Sequence, residues 1–224
     1  MIPPLIVQEV LERGIHLIAV TDHNASANVR AVQRAAQGSA LTVLPGMELQ
    51  TQEEVHVLCL FDRIEQLEAW QAQVDRALPQ IENNIDFFGE QFVVDETGDF
   101  LRREERLLLT SAALSIEEVF AGVRALGGLA VPAHVDRKAF GLIANLGLVP
   151  PDLEAEGLEI SRHHSPAEAG RKFPQIEGYP LLQGGDAHRL EEILGANRLE
   201  LQAPCVDELR LALRGEAGRS LRIL

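Results

Sequence analysis

Histidines and acidic residues follow apolar runs at several places in this chain. The run IAVTDHN (18–24) leads straight to His23, and LTVLPGMELQ (41–50) leads to Glu48. Imidazole and carboxylate groups together suit Zn, Mn or Fe(II), and one shared carboxylate can bridge two ions. Such a cluster could activate water at neutral pH and hold a transferring phosphoryl group. The chemistry indicated is metal-assisted hydrolysis.

Six residues share this placement at or near the ends of predicted strands. The candidate metal ligands are His23, Glu48, His56, His134, Asp186 and His188. Each has an ordinary alternative when taken alone: a hydrogen-bonded histidine, a turn former or a surface carboxylate. Their coincidence at one face favours the metal interpretation. Of the six, Glu48, Asp186 and His188 are also predicted to act in catalysis.

Two arginines and a histidine pair follow other predicted strand ends. Arg137 and Arg162 are candidate contacts for a substrate phosphate, although exposed loop cations are the simpler interpretation. His163 and His164 follow the strand LEIS (158–161). Adjacent residues on an extended chain point apart, so at most one of these two histidines faces the site.

The predicted elements alternate between strand and helix, which favours an α/β fold with a parallel sheet, either open or closed into a barrel. The carboxyl ends of parallel barrel strands open onto one face, where active sites are built. TDHNAS after the first strand is not a glycine-rich phosphate loop. Residues 79–114 are the least regular, and a hairpin is predicted around 96–99. Besides the hairpin, the predicted strands are 15–20, 41–45, 55–61, 129–134, 158–161, 179–188, 197–202 and 220–224.

Composition is that of a water-soluble protein with an acidic surface. Hydrophobic residues make up 46% and charged residues 24% of the 224 residues, and the net charge is −14. An acidic surface disfavours long nucleic acid and anionic membranes. The only cysteines, Cys59 and Cys205, form no disulfide or zinc pattern, and neither a signal peptide nor a membrane span is visible. We therefore expect a cytoplasmic protein with a small phosphorylated partner, and no expectation arises for its oligomeric state.

At TDHN, GMELQTQEEVHVL, VPAH and GGDAH the sequence resembles the PHP (polymerase and histidinol phosphatase) domain family. That family is a distorted (β/α)7 barrel, similar to a TIM barrel, whose two or three Mn, Fe or Zn ions hydrolyse phosphoesters. The resemblance implies that 1–224 is a single barrel domain with an irregular insertion at about 79–114. It also implies that the six candidate residues are metal ligands and that Glu48 is the bridge.

The sequence departs from the family at one motif. The family begins with a strand ending in D-x-H-x-H, and no H-x-H occurs in this chain. The resemblance therefore implies that the first barrel strand is missing, which leaves the wall open beside 15–20. Glu48, His56 and His134 could still hold one ion, while His23 and His188 would lack their acidic partner.

The favoured function is a metal-dependent phosphoesterase. Metal-activated water would hydrolyse a small phosphorylated substrate such as a nucleotide or nucleoside bisphosphate. Two alternatives stay open: an amidohydrolase-like barrel that cleaves a C–N bond, and a truncated metal-binding barrel with impaired catalysis.

Overall fold

The structure is a computed structural model that describes residues 1–224. Its strands and helices alternate along most of the chain, which confirms the predicted α/β class. The strands are β1 Leu17–Val20, β2 Thr42–Gln50, β3 His56–Leu60, β4 Phe92–Val94, β5 Phe100–Arg103, β6 Leu129–Pro132, β7 Leu158–Ser161, β8 Leu181–Gly184, β9 Asn197–Glu200 and β10 Ser220–Ile223. The α-helices are α1 Pro3–Glu12, α2 Val29–Ala35, α3 Ile64–Ala77, α4 Ile85–Phe88, α5 Ile116–Ala125, α6 Leu142–Leu146, α7 Pro166–Lys172 and α8 Val206–Arg214.

The main sheet has four strands in the order β1-β2-β3-β6, and it is mixed rather than parallel. β1 and β2 are parallel, but β3 is antiparallel to both β2 and β6. The prediction of a parallel sheet is therefore wrong at β3. Only residues 51–55 join β2 to β3, and a parallel pairing needs a crossover of a dozen or more residues. The short connection forces β3 to run back beside β2.

The strands do not close into a hydrogen-bonded barrel. β7 and β8 form a separate parallel pair, and β9 and β10 form an antiparallel pair. β1 pairs with β2 on one edge only, so its other edge is open, as expected beside 15–20. The prediction of a distorted (β/α)7 barrel without its first strand is thus met only at the level of the α/β class. That a further strand is missing beside β1 stays a prediction.

Alternation along β2 separates the apolar core from the polar site. Met47 and Leu49 are fully buried in the main hydrophobic cluster, which also holds Trp70 of α3 and Phe120 of α5. Successive strand side chains point to opposite faces. Glu48 consequently points away from the apolar cluster, toward the histidines described below.

Helix α5 begins where its capping signal predicts. Ser115 Oγ accepts the backbone N–H of Glu118, and the Glu118 side chain accepts the N–H of Ser115. This reciprocal pair satisfies two amide donors that the first helical turn would otherwise leave free. Val119 and Val123, four residues apart, are fully buried against the sheet.

Residues 79–114 contain α4 and the β4–β5 hairpin, and the predicted hairpin is confirmed. Asp95 Oδ1 accepts the backbone N–H groups of Thr97 and Asp99, which closes the turn. The hairpin and α4 expose several large apolar side chains, among them Phe87, Phe100 and Leu101. None of the helices in the chain combines the length and the apolar composition that a membrane crossing requires.

Candidate metal centre

The carboxylate of Glu48 lies among three histidines. Its Oε1 is 3.2 Å from His56 Nδ1 and 3.2 Å from His134 Nε2, and its Oε2 is 3.3 Å from His23 Nδ1. The side chain is 6% exposed. Glu48 lies inside β2, not beyond the strand as we predicted from the sequence. One buried carboxylate therefore contacts donors from three separate segments of the chain.

The direction of β3 explains how His56 joins the cluster. His56 begins β3 and pairs with Gln50 at the end of β2. Because the two strands are antiparallel, the start of β3 lies at the same edge as the end of β2. The His56 ring stacks on Phe140, with ring centroids 4.6 Å apart and planes 1° apart. This stacking fixes the ring plane of His56.

His23 and His188 face each other at the open side of the cluster. Their Nε2 atoms are 3.3 Å apart, and His23 lies just after β1 in a bridge to Glu48. His188 is the more exposed of the two, with 60% of its side chain accessible. Asp186 lies beside it, 3.6 Å from His188 Nδ1 at its Oδ1. Two imidazole nitrogens this close need either a shared proton or a cation between them, and both could bind one metal ion.

Two of the candidate ligands lie at strained backbone positions. His134 has a φ of 32° and Asp186 a φ of 44°, both in the left-handed region that non-glycine residues seldom adopt. His134 Nδ1 is buried without a hydrogen-bond partner, although its Nε2 faces Glu48. Such strained positions cluster at functional sites, where surrounding contacts hold them in place.

The electrostatics of the cluster keep Glu48 ionised. Burial by itself raises its pKa, but hydrogen bonds from His134 and His56 outweigh burial and hold the pKa well below its usual value. Burial lowers the pKa of His23, with Glu48 acting in the opposite direction. Burial also opposes the charged form of His134, yet the hydrogen bond to Glu48 raises its pKa overall. An anionic, buried carboxylate among imidazoles is a donor set that suits a divalent cation.

Geometry divides the six predicted ligands into an inner group and its neighbours. Ligand atoms of His23, Glu48 and His56 all lie within 4.8 Å of one another. His134 reaches the same carboxylate oxygen as His56, whereas His188 contacts the group only through His23. All six residues lie in one region of the molecule. Their roles as ligands stay a prediction.

A polar pocket of about 400 Å³ adjoins the cluster at Asp186, and no apolar side chain lines it. We call it the arginine pocket, and its lining includes Arg137, Arg162, His163, Asp186, Arg189 and Glu192. Arg137 forms an ion pair with Asp186, and Arg162 pairs with Glu192 at 3.1 Å. Both arginines that the sequence singled out as phosphate contacts therefore lie beside the cluster.

The two adjacent histidines do point apart. His163 lines the arginine pocket. Both nitrogens of His164 are occupied, Nδ1 at 2.6 Å from Asp136 Oδ2 and Nε2 at 3.1 Å from Lys172 Nζ. Asp22, which directly precedes His23, accepts a hydrogen bond from Asn28 at its side chain. His164 thus faces Asp136 and Lys172, and Asp22 meets Glu48 only through the backbone, where its carbonyl accepts the Glu48 N–H at 3.2 Å.

Two residues near the site escaped the sequence analysis. Glu159, in the middle of β7, is buried, and its Oε1 accepts the backbone N–H of His134 at 3.2 Å. Burial raises the pKa of Glu159 to about 8. Arg189 lines the arginine pocket directly after His188. Glu159 could have been found as a single acidic residue between Leu158 and Ile160, and Arg189 as a third arginine that follows a strand end.

No protein-family model matches the chain, and no curated protein matches it either. Solved structures do. The chain shares its fold with Endonuclease Q. It aligns with the lesion-specific endonuclease of that name from Pyrococcus furiosus at 18% identity and a TM-score of 0.73, covering 99% of this chain and 53% of that one. A complex of Endonuclease Q with a 27-mer duplex aligns at 18% identity and a TM-score of 0.66, covering 97% and 52%. The chain thus spans about half the length of these structures.

Two further structures have the same fold over most of their own length. A protein from Bifidobacterium adolescentis that is classed as a metal-dependent phosphoesterase aligns at 18% identity and a TM-score of 0.57, covering 84% of this chain and 82% of that one. An amidohydrolase from Chromobacterium violaceum with bound sulfate aligns at 19% identity and a TM-score of 0.59, covering 96% and 91%. At these identities the likeness establishes the fold.

The comparison corrects our expectation about partners. From the net charge of −14 we expected no long nucleic acid partner, and this prediction is wrong. A protein with this fold has been crystallised on a 27-mer duplex carrying an abasic lesion at its active site. Net charge describes the whole surface, whereas phosphate contacts depend on local cations such as those of the arginine pocket.

Proposed function

We propose that this chain is a metal-dependent hydrolase of phosphoesters. The observation that carries the proposal is the buried, anionic Glu48, shared between His56 and His134 on one oxygen and His23 on the other. A carboxylate in this setting needs positive charge to offset its burial. The structures of similar fold, which include a protein classed as a metal-dependent phosphoesterase, support the same reaction class.

The residues divide into those that would hold cations and those that would meet the substrate. His23, Glu48, His56, His134, Asp186 and His188 would hold divalent ions of the Mn, Fe or Zn type. Such ions, when bound, lower the pKa of water and neutralise phosphoryl oxygens. Asp186 and His188 at the open side of the cluster, and the buried Glu48 at its centre, are the groups that could also orient water or accept its proton.

The arginine pocket favours a phosphoester over an amide as substrate. Arg137 and Arg162 present guanidinium groups next to Asp186, and a guanidinium matches phosphate oxygens with two parallel hydrogen bonds. A neutral amide gains little from such donors. Small phosphorylated molecules and phosphodiesters of nucleic acid both fit this chemistry, so both belong in the test.

The test is a hydrolysis panel on metal-free protein reloaded with Mn, Fe or Zn. Substrates are nucleoside monophosphates and bisphosphates, a sugar phosphate, and a duplex oligonucleotide with and without an abasic lesion. We expect metal-dependent cleavage of at least one phosphoester and none of a matched set of amides. Absence of phosphoester cleavage with all three metals contradicts the proposal.

Glu48→Gln provides the matched variant. It keeps the shape of the side chain but removes the charge that the cations would share. Mutation of a residue that only hydrogen-bonds to a metal ligand typically reduces affinity or activity about 10–100-fold. For Glu48 itself we therefore expect at least about a 100-fold loss in rate and in metal affinity. Glu177→Gln, at an exposed position outside the cluster, serves as the control and should retain both.

A further inference from the structure

The arginine pocket concentrates positive charge in a protein that is otherwise acidic. It is lined by three arginines and two acidic residues, whereas the whole chain has a net charge of −14. Two of the arginines are paired with those acids, Arg137 with Asp186 and Arg162 with Glu192. Arg189 forms no ion pair. An anion in the pocket would therefore meet arginines that are already paired, unless Asp186 or Glu192 binds another cation.

The ion pair between Arg137 and Asp186 joins the pocket to the metal cluster. Asp186 is a predicted metal ligand and lies 3.6 Å from His188, while Arg137 follows β6 and lines the pocket. Arg137 contacts Oδ2 of Asp186, whereas His188 faces Oδ1. A divalent ion on this carboxylate would repel the guanidinium and weaken its ion pair with Asp186. The guanidinium of Arg137 and a cation at Asp186 therefore disfavour each other.

We propose that the arginine pocket is a phosphate site, an inference that rests on the proposed function. When a cation replaces Arg137 at Asp186, the Arg137 guanidinium turns to the phosphate. Divalent metal and phosphate therefore bind cooperatively. Arg137 is the group that changes partner, from the Asp186 carboxylate to the phosphate oxygens. Arg189 contributes a guanidinium that is available in either state. Arg162 keeps Glu192 as the partner of its Nη2 and presents its remaining N–H groups to the same pocket.

The expected size of the coupling follows from the ion pair. The side chains of Arg137 and Asp186 are 38% and 25% exposed, so solvent screens their attraction. Breaking a solvent-screened ion pair of this kind changes a binding constant by about two- to fivefold. By linkage, the metal must strengthen phosphate binding by the same factor by which phosphate strengthens metal binding. Direct contact between phosphate and metal adds a further amount, and that amount does not depend on Arg137.

The experiment compares wild type, Arg137→Met and Arg189→Met by isothermal titration calorimetry with Mn²⁺ and inorganic phosphate. In phosphate-free buffer we expect Arg137→Met to bind Mn²⁺ about two- to fivefold more tightly than wild type, because a competitor for Asp186 is gone. Mn²⁺-loaded Arg137→Met should bind phosphate more weakly, and its metal–phosphate coupling should fall by the same factor. Arg137→Gln is measured in its place if Arg137→Met does not fold.

Arg189→Met is the matched control because it removes an equal charge from the same pocket without touching Asp186. It should weaken phosphate binding and leave Mn²⁺ affinity nearer to that of wild type than Arg137→Met does. Equal gains in Mn²⁺ affinity for both variants would mean general charge repulsion and would overturn the proposal. An unchanged Mn²⁺ affinity in Arg137→Met overturns it as well, and so does a wild type that binds no Mn²⁺.

The two proposals fail in different ways. Protein that shows the Arg137-dependent coupling but cleaves no phosphoester refutes the proposed function and leaves the phosphate site standing. Protein that cleaves phosphoesters with the same coupling in wild type and Arg137→Met refutes the exchange of partners alone.

Discussion

Asn24 shows how one side chain positions a histidine of the candidate centre. It is fully buried with a φ of 51°, a left-handed conformation that asparagine tolerates better than most residues. Its Nδ2 donates to the carbonyls of Leu108 and Thr110, each at 2.8 Å, and its Oδ1 accepts the N–H of Gln50 at 3.0 Å. Asn24 therefore holds the loop that carries His23 against both β2 and the segment around 108–110.

Replacing Asn24 with alanine should both destabilise the protein and weaken metal binding at the candidate centre. The change leaves two carbonyls and one N–H without their partner, so we expect a loss of at least about 2 kcal/mol in the free energy of unfolding. Denaturant unfolding measures this loss, and metal titration should show weaker binding. Asn145→Ala is the control, because Asn145 is exposed and donates to the carbonyls of Glu53 and Glu54. It should cost about 1 kcal/mol or less.

Glu159 gives the metal-free protein a pH dependence with a defined sign. Burial raises its pKa from 4.5 to about 8, so between these values the folded state holds a proton that the unfolded state has lost. The Glu159 contribution to stability is therefore fully present below pH 4.5 and is lost as pH rises through 8, by at most about 1.4 kcal/mol per pH unit. In chelator-treated protein, Glu159→Gln should gain stability relative to wild type from pH 5 to 8. A constant difference would show that Glu159 is ionised throughout.

At the scale of elements, local signals were enough for most strands and helices but not for their directions. The capping pair Ser115 and Glu118 and the hairpin around 96–99 could be predicted because their signals are local in sequence. The antiparallel course of β3 depends on the shortness of the 51–55 connection, which was visible, and on the pairing of Gln50 with His56, which was not. Buried partners such as Glu159 depend on packing between β6, β7 and β8, which periodicity alone does not reveal.

The approach of β8 to β7 sets a requirement for glycine at position 184. A Cβ there would lie 2.3 Å from the Glu159 carboxylate, closer than atoms can approach. Gly184→Ala should therefore displace Glu159 from the backbone N–H of His134 and cost about 1–3 kcal/mol by overpacking. Thermal unfolding and metal titration measure both effects.

Gly170 offers the matched control for that substitution. It lies in α7, and a Cβ at this position meets nothing within 4 Å. Gly170→Ala should raise stability by about 0.5–1 kcal/mol, because glycine inside a helix costs conformational entropy. If Gly184→Ala proves as harmless as Gly170→Ala, the close packing of Glu159 against β8 is wrong.

At the scale of the whole molecule, the candidate ligands come from segments far apart in sequence. His23 follows β1, Glu48 lies in β2, His56 begins β3 and His134 follows β6, while His188 comes after β8. These strands belong to two sheets that share no hydrogen-bonded strand pair. Apart from the backbone hydrogen bond from Val135 N–H to the Glu159 carbonyl, cations held by all of them would therefore supply the links between the two sheets at the site.

Metal loading should consequently stabilise the entire chain. A ligand that binds only the folded state at 100 times its dissociation constant adds about 2.7 kcal/mol, which raises the Tm of a domain of this size by about 5–10 °C. Calorimetry of metal-free protein with and without added Mn²⁺ or Zn²⁺ measures the shift. Glu48→Gln should fold with a much smaller shift, because the carboxylate shared by His23, His56 and His134 no longer carries charge. Equal shifts in wild type and Glu48→Gln would place the stabilising ion elsewhere on the acidic surface.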